Sequence, residues 1–417
     1  MERLVIRGGR RLEGETIVSG AKNAALPIMA ASLLAEGKSV LHRVPQLSDI
    51  RVMQDILSGL GIRSVRDGTS FTLDTASVIS IVVSERLMRQ MRASVFLMGA
   101  LLARCGEVCV SYPGGCAIGP RPIDLHLKAF EKMGAELTEE HGTIRLSAKR
   151  LHGAEVQFDF PSVGATENAM IAGALADGIT ILRNAAREPE IIDLQSFLRK
   201  MGARIDGAGS DTITIRGREK LYPAEYTVMS DRIEAGTLLL AGCITRGDII
   251  LRDACPEHLF AVIDKLRESG AEVWCGKDAV RIRADRLGSV DIKTMPYPAF
   301  PTDLQAPMMA MLATAEGTGI VTETIFENRF KQVDELVRMG AHIRVEGRSA
   351  VVRGVPMLTG TKVEACDLRA GASLVIAGLC AEGTTEISRI DYIDRGYERI
   401  EEKLRQLNAD IIRKEGD

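Results

Sequence analysis

Aromatic side chains are scarce in this chain: they make up 4% of its 417 residues, and Trp274 is the single tryptophan. So few flat rings offer no stacking platform for exposed bases, and Trp274 reads as a packing residue. An excess of one charge is also missing, since 53 basic side chains meet 56 acidic ones for a formal charge of -3. With no basic surplus to neutralise a phosphate backbone, nucleic acid is not an expected partner. No apolar run reaches membrane-spanning length, and the opening M-E-R-L-V-I-R-G-G-R-R-L-E-G lacks the apolar core of a signal peptide. The expectation is a cytoplasmic enzyme with no membrane partner. Eight cysteines, at 105, 109, 116, 243, 255, 275, 366 and 380, show no C-x-x-C spacing, and the six histidines form no H-E-x-x-H. They read as reduced thiols, with no metal site and no cofactor implied. What remains, 46% hydrophobic, is ordinary globular material long enough for two domains.

Against that background one segment stands out. Residues 112–124 read Y-P-G-G-C-A-I-G-P-R-P-I-D, setting Cys116 between Gly114, Gly115 and Gly119, with Pro113, Pro120 and Pro122 stiffening the rest. A stretch so rich in glycine and proline fits neither a core helix nor a central strand, so its thiol is expected to be accessible. Arg121, five residues on, offers a planar fork for carboxylate or phosphate. Composition alone leaves a second reading open, a surface turn carrying an incidental cysteine.

Self-similarity is the other strong signal. A Leu/Met-Gly-Ala corner closing an amphipathic stretch recurs at Gly134, Gly202 and Gly340, as Ser-Gly-Ala at Gly270, and as variants at Gly61 and Asn408, spaced by 68 to 73 residues. Gly37, Gly106, Gly178, Gly247, Gly317 and Gly383 close small-residue apolar runs on the same beat. Six repeats of about 70 residues therefore fill the chain. Each reads as a first helix, a strand, a second helix, the glycine corner and further strands. The second helix is amphipathic, as in Leu259, Val262, Ile263 and Leu266 with Asp264, Lys265 and Arg267 turned outward. The first is apolar all round, as in Met308–Ala315 and Ala372–Leu379, which belongs to a helix buried on every side. The expected class is α/β (α+β), a two-domain inside-out α/β barrel with three repeats per domain around buried helices. The last repeat stops after Ala409–Arg413 without the strand pair that ends the others, whereas the chain begins with a spare pair, Leu4–Gly8 and Glu15–Ser19. The domains are accordingly expected at 21–229 and at 1–20 plus 230–417, with a two-stranded hinge and an active site in the cleft between them.

Charged residues at the entrance of a buried helix need a partner or a ligand, because desolvating them is costly. The six entrances read G-A-K-N-A-A with Lys22 and Asn23, Q-M-R-A-S with Arg92, P-S-V-G-A-T with Ser162, Val163 and Gly164, S-D-R-I-E with Asp231 and Arg232, F-P-T-D-L-Q with Asp303, and D-L-R-A-G-A with Asp367 and Arg369. The strand-to-helix loops add Arg121, Arg329 of F-E-N-R-F and Arg395 of I-D-R-G-Y-E. If the helices of a domain run parallel, their positive dipole ends converge with these cations on an anion-binding face. For any one arginine an ordinary salt bridge explains as much; recurrence at equivalent repeat positions argues for a site.

The segments S-G-A-K-N-A-A-L-P, M-R-A-S, P-G-G-C-A-I-G-P-R-P-I-D-L-H, S-V-G-A-T, F-P-T-D-L-Q, E-T-I-F-E-N-R-F, D-L-R-A and I-D-R-G-Y-E occur in that order. With them the chain resembles the UDP-N-acetylglucosamine enolpyruvyl transferase family over essentially its full length. The resemblance implies transfer of the enolpyruvyl group of phosphoenolpyruvate to the 3'-hydroxyl of UDP-N-acetylglucosamine, at the head of peptidoglycan precursor synthesis. It makes Cys116 the general acid and the target of epoxides such as fosfomycin, and Asp303 the candidate for hydroxyl deprotonation. Lys22, Arg121 and Arg395 would hold phosphate and carboxylate. Asn23, Arg92, Pro122, Ile123, Asp124, Leu125, Ser162, Val163, Gly164 and Ile325 would line the sugar-nucleotide site, with Arg329, Asp367 and Arg369 completing the binding set. Three rivals remain: the shikimate-pathway enolpyruvyl transferase, a UDP-sugar-binding paralogue without turnover, and a cysteine hydrolase. Oligomeric state is not encoded in any pattern read here.

Overall fold

The computed structural model describes residues 2–112 and 123–415. They fall into two compact units, one of residues 2–19 and 230–415, the other of residues 20–112 and 123–229. Each is organised around three helices without a wet face. In the second these are α1 (Lys22–Ala31), α2 (Phe96–Cys105) and α3 (Val163–Gly173); in the first, α4 (Arg232–Ile244), α5 (Gln305–Leu312) and α6 (Leu368–Cys380). Within each unit the three pack on one another. Their composition accounts for this: α4 is buried from Ile233 to Ile244, and α5 along its whole length. The helix expected at Met308–Ala315 begins three residues earlier, and after Leu312 it tightens into turns in which Thr314 donates to the Met311 carbonyl and Ala315 to that of Leu312.

The walls are separate sheets, three per unit, and not one continuous barrel of strands. The sheet that follows α4 shows the pattern. Asp248–Arg252, Glu272–Cys275 and Ala279–Arg283 pair antiparallel, and Glu13–Ile17 runs parallel along Asp248–Arg252 with Ile249 opposite Gly14. Alternation sends Ile249, Leu251, Val280 and Ile282 into the core, while Asp248 and Arg281 meet on the wet face in a two-pronged pair of 2.7 and 2.8 Å. The outer helix Phe260–Glu268 buries Val262, Ile263 and Leu266 and exposes Asp264 and Arg267. No helix among the described residues is long and apolar enough to cross a membrane.

The strands that end each repeat are split between sheets. Thr143–Ser147 stays with Glu107–Ser111, whereas Glu155–Gln157 crosses to run parallel with Ile179–Arg183. The amino-terminal strands behave alike. Arg3–Arg7 lies between Thr384–Ser388 and Asp410–Lys414, antiparallel to both, while Glu13–Ile17 goes to the sheet after α4. Each repeat thus donates a strand to its neighbour, which interlocks the three. One sheet is thinner, since beside Glu107–Ser111 the crossing strand is reduced to a bridge at Val82.

The repeat corners are left-handed, with φ between 89° and 101° at Gly61, Gly134, Gly202, Gly270 and Gly340, and 72° at Asn408. The second set departs at one position. In the fourth repeat Arg246 takes the left-handed conformation, with φ 55°, and Gly247 is required for another reason: a Cβ there would lie 2.4 Å from the Leu12 carbonyl oxygen. A similar close approach recurs at Gly217 and Gly354, where a Cβ would come 1.6 and 1.7 Å from the carbonyl oxygens of Ala176 and Ala315, just past the ends of α3 and α5. Backbone cannot retreat there without moving a buried helix. Gly354→Ala is therefore expected to lower stability by about 1–3 kcal/mol, read as a lower urea midpoint with an unchanged slope; an unshifted midpoint would refute this tight seam between strand and helix.

Candidate active site

Three of the helix starts are closed by their own caps. The Asp231 carboxylate accepts from the Ile233 and Glu234 amides at 2.8 and 3.0 Å, Asp367 accepts from those of Arg369 and Ala370 at 2.8 and 2.9 Å, and Ser162 accepts from Ala165 at 3.3 Å. Asp303 does not cap. It sits in the 3-10 turn Thr302–Leu304 ahead of α5, and its two oxygens accept from two different guanidinium groups, Arg329 Nη2 at 2.6 Å and Arg369 Nη2 at 2.8 Å. Both arginine side chains are 5% exposed. Arg329 lies over the Phe326 ring and Arg369 over the Tyr397 ring, and the Tyr397 hydroxyl is 2.9 Å from Thr237 Oγ1 on α4. Burial works against the Arg369 charge, but Asp303, Tyr397 and Asp231 outweigh it and hold the guanidinium firmly protonated. Arg329 Nε and Arg369 Nη1 are buried donors with no hydrogen-bond partner among the described residues. An anionic ligand at this corner would satisfy them.

A buried glutamate braces the corner. Glu323 accepts from Thr302 Oγ1 at 2.8 Å with one oxygen and from the Ile325 and Phe326 amides at 2.7 and 3.1 Å with the other, tying the Asp303 turn to the loop of Ile325 and Arg329. Arg395 closes the 3-10 turn Ile390–Arg395, two residues before Tyr397.

In the other unit the candidates group differently. Lys22, the first residue of α1, is buried and donates to Asp49 at 2.9 Å in the first turn of Ser48–Gly59; its neighbour Asn23 is exposed. Ile123 is buried at the start of the helix Asp124–Lys132, with Asp124 exposed and Leu125 half-buried. That helix packs on α3, with His126 against Gly164. Arg92 opens the 3-10 turn ahead of α2. Buried His126 joins the two: its Nδ1 accepts from Asn168 Nδ2 at 3.0 Å, so its proton sits on Nε2, on the ring face against Gly164. Asn168 also donates to the Val95 carbonyl and accepts from the Gly99 amide, locking α3 to α2. Burial first, and then the Arg92 cation, push the imidazole down to about 3, leaving it neutral. Cys116, Arg121 and Pro122 lie outside the described residues. Elsewhere burial pushes the thiols of Cys243 and Cys380 up to about 12 and, together with Asp367, that of Cys366 to about 11, so these are poor nucleophiles. Among the described residues no group of three or more His, Cys, Asp or Glu is placed to hold a metal ion.

Residues 6–404 match the family model for EPSP synthase (3-phosphoshikimate 1-carboxyvinyltransferase). Over 415 residues the chain is 54% identical to UDP-N-acetylglucosamine 1-carboxyvinyltransferase 2 of Caldanaerobacter subterraneus subsp. tengcongensis, covering 99% of this chain and 100% of that one. The protein of that name from Desulfatibacillum aliphaticivorans is 50% identical, at 99% and 100% coverage. The chain belongs to the UDP-N-acetylglucosamine 1-carboxyvinyltransferase family. Among solved structures it is similar to the enolpyruvyl transferase NikO of Streptomyces tendae, with a TM-score of 0.89 at 27% identity over 100% of this chain and 99% of that one. An EPSP synthase of Acinetobacter baumannii, at TM-score 0.76 and 19% identity over the whole of both chains, shares the fold.

For this carboxyvinyltransferase family member the structure brings together Asp303, Arg329 and Arg369, with Ile325 held close by Glu323 and Asp367 capping the helix of Arg369. Sequence reasoning passed over Glu323, His126, Asn168, Asp49 and Tyr397. Glu323, His126 and Tyr397 stood inside quoted motifs, but only packing shows what they touch.

Two predictions separate these roles. Asp303→Ala strands two buried guanidinium groups and is expected to cost on the order of 3–5 kcal/mol, against about 1 kcal/mol for the cap in Asp367→Ala; equal losses in urea unfolding would reduce Asp303 to a cap. His126 is neutral in the folded chain, whereas the unfolded chain binds a proton there below the ordinary value near 6.5. Its contribution is thus complete above that pH and lost as pH falls toward about 3. His126→Gln should flatten the pH dependence of stability in this window, and an unchanged slope would count against a buried neutral imidazole.

Proposed function

We propose that this chain transfers the enolpyruvyl group of phosphoenolpyruvate to the 3'-hydroxyl of UDP-N-acetylglucosamine, releasing inorganic phosphate, as the first committed step of peptidoglycan precursor synthesis. The observation that carries the reading is the full-length identity of 54% to a protein bearing that activity in its name. The motif set, with its intact cysteine loop, supports it.

The chemistry asks for four things. The sugar hydroxyl oxygen bonds to the enol carbon of phosphoenolpyruvate while losing its proton to a base. The methylene carbon gains a proton from an acid. Phosphate then leaves as one methyl proton is removed, restoring the double bond. Throughout, negative charge on phosphate and carboxylate must be held away from water. In this reading Cys116 delivers the methylene proton, Asp303 takes part in hydroxyl deprotonation, and Lys22, Arg121 and Arg395 hold phosphate and carboxylate. The buried donors of Arg329 and Arg369 that lack a partner among the described residues favour an anion beside Asp303. Asn23, Arg92, Ile123–Leu125, Ser162–Gly164 and Ile325 are assigned to the sugar nucleotide.

The family model's description favours one alternative acceptor, shikimate 3-phosphate. Phosphate release from phosphoenolpyruvate should proceed with UDP-N-acetylglucosamine and not with shikimate 3-phosphate; the reverse would overturn the reading. Cys116→Ala should be nearly inactive, because alanine carries no proton, and Cys116→Asp should retain turnover while losing covalent labelling by an epoxide. Labelling at another cysteine, with Cys116 spared, would remove its assignment.

A further inference from the structure

Arg413, in the strand Asp410–Lys414, gives its whole guanidinium to carboxylates. Nη1 donates to Asp394 Oδ2 and Glu2 Oε2, each at 2.9 Å; Nη2 donates to Asp394 Oδ1 at 2.7 Å and Glu401 Oε2 at 3.3 Å; Nε donates to Glu401 Oε1 at 2.8 Å. The fork on Asp394 is two-pronged, the geometry in which an arginine fixes orientation as well as charge. Asp394 immediately precedes Arg395, and Glu401 lies in the first turn of Ile400–Gln406. One side chain therefore pins both ends of the segment 394–401, which carries Arg395 and the Tyr397 ring beneath Arg369. The strand bearing Arg413 is itself fixed along its length by antiparallel pairing with Arg3–Arg7. An isolated exposed ion pair does little, but Arg413 is 23% exposed and Glu401 7%, so this network is shielded from solvent on one side.

We infer that Arg413 is a positioning residue for the reaction: through Asp394 and Glu401 it sets where Arg395 stands. This rests on the assignment of Arg395 to phosphoenolpyruvate under the proposed function. A group misplaced by about 1 Å can lose a hundredfold in rate, so the requirement on this segment is strict.

Steady-state kinetics of the full chain test it. Arg413→Gln and Asp394→Asn should each lower kcat/KM for phosphoenolpyruvate by about tenfold or more, with KM for UDP-N-acetylglucosamine within about twofold. Arg413→Lys, which keeps the charge and loses the fork, should not rescue, whereas Glu2→Ala, which cuts the most exposed arm, should be silent. Added to Arg395→Gln, Asp394→Asn should cost little more, because both act through one group. If Arg413→Gln does not fold, Asp394→Asn carries the test, since Arg413 keeps Glu401 and Glu2. Folded variants with unchanged phosphoenolpyruvate kinetics, or a rise in both KM values alongside a lower Tm, would overturn the positioning role. If Arg395→Gln itself leaves phosphoenolpyruvate kinetics untouched, the assignment of Arg395 has failed instead.

Discussion

A helix enclosed by protein on every side must pair each polar group along its body, as Asn168 and Thr237 are paired, and the amides of its first turn must still find acceptors. Among the described residues six such helices carry this chain, and several of its charged candidates sit where one begins. Asp231, Asp367 and Ser162 settle the requirement locally by accepting amide hydrogens. Lys22, Arg92 and Asp303 bring charge to the same positions without capping. The enclosure that makes a helix apolar along its body thereby concentrates charge, dipole and specificity at one end.

Asp303 shows what this concentration costs and what it leaves open. Two guanidinium groups are withdrawn from water and held by one carboxylate, an arrangement that gains little stability over an apolar corner of equal volume. It leaves Arg329 Nε and Arg369 Nη1 buried with no hydrogen-bond partner among the described residues. Unsatisfied donors of this kind are rare in folded proteins and carry a penalty that a ligand anion removes. The neutral imidazole of His126 answers the opposite need in the other unit: burial first, and then the Arg92 cation, disfavour a charge there, so the ring stays uncharged and serves as acceptor and packing surface.

Strand exchange between repeats supplies the rigidity these sites need. Because each repeat gives a strand to the next sheet, no helix start can shift without disturbing a neighbouring repeat. The amino-terminal strands make the same donation to the carboxy-terminal unit, joining the chain's beginning to Arg413 and the segment it pins. Glycine at the seams, as at Gly354 against Ala315, lets strands approach buried helices closely enough for this interlocking.

Much of this was written in local sequence. The beat of glycine corners, the uniformly apolar first helices and the amphipathic second helices follow from backbone conformation and helical periodicity, which act over a few residues, and so did the two-domain α/β class. Arg329 and Arg369 were legible as charges on a repeat. That they meet on Asp303, that Glu323 reaches back to Thr302 and that His126 packs against Asn168 and stays neutral depended on residues 20 to 70 positions apart becoming neighbours. The same holds for Gly247, which the close approach of the Leu12 carbonyl requires while Arg246 takes the left-handed conformation beside it. Local sequence determined which elements form and which residues carry charge; tertiary structure decided which charges face one another, because pairing, burial and desolvation are properties of neighbours in space.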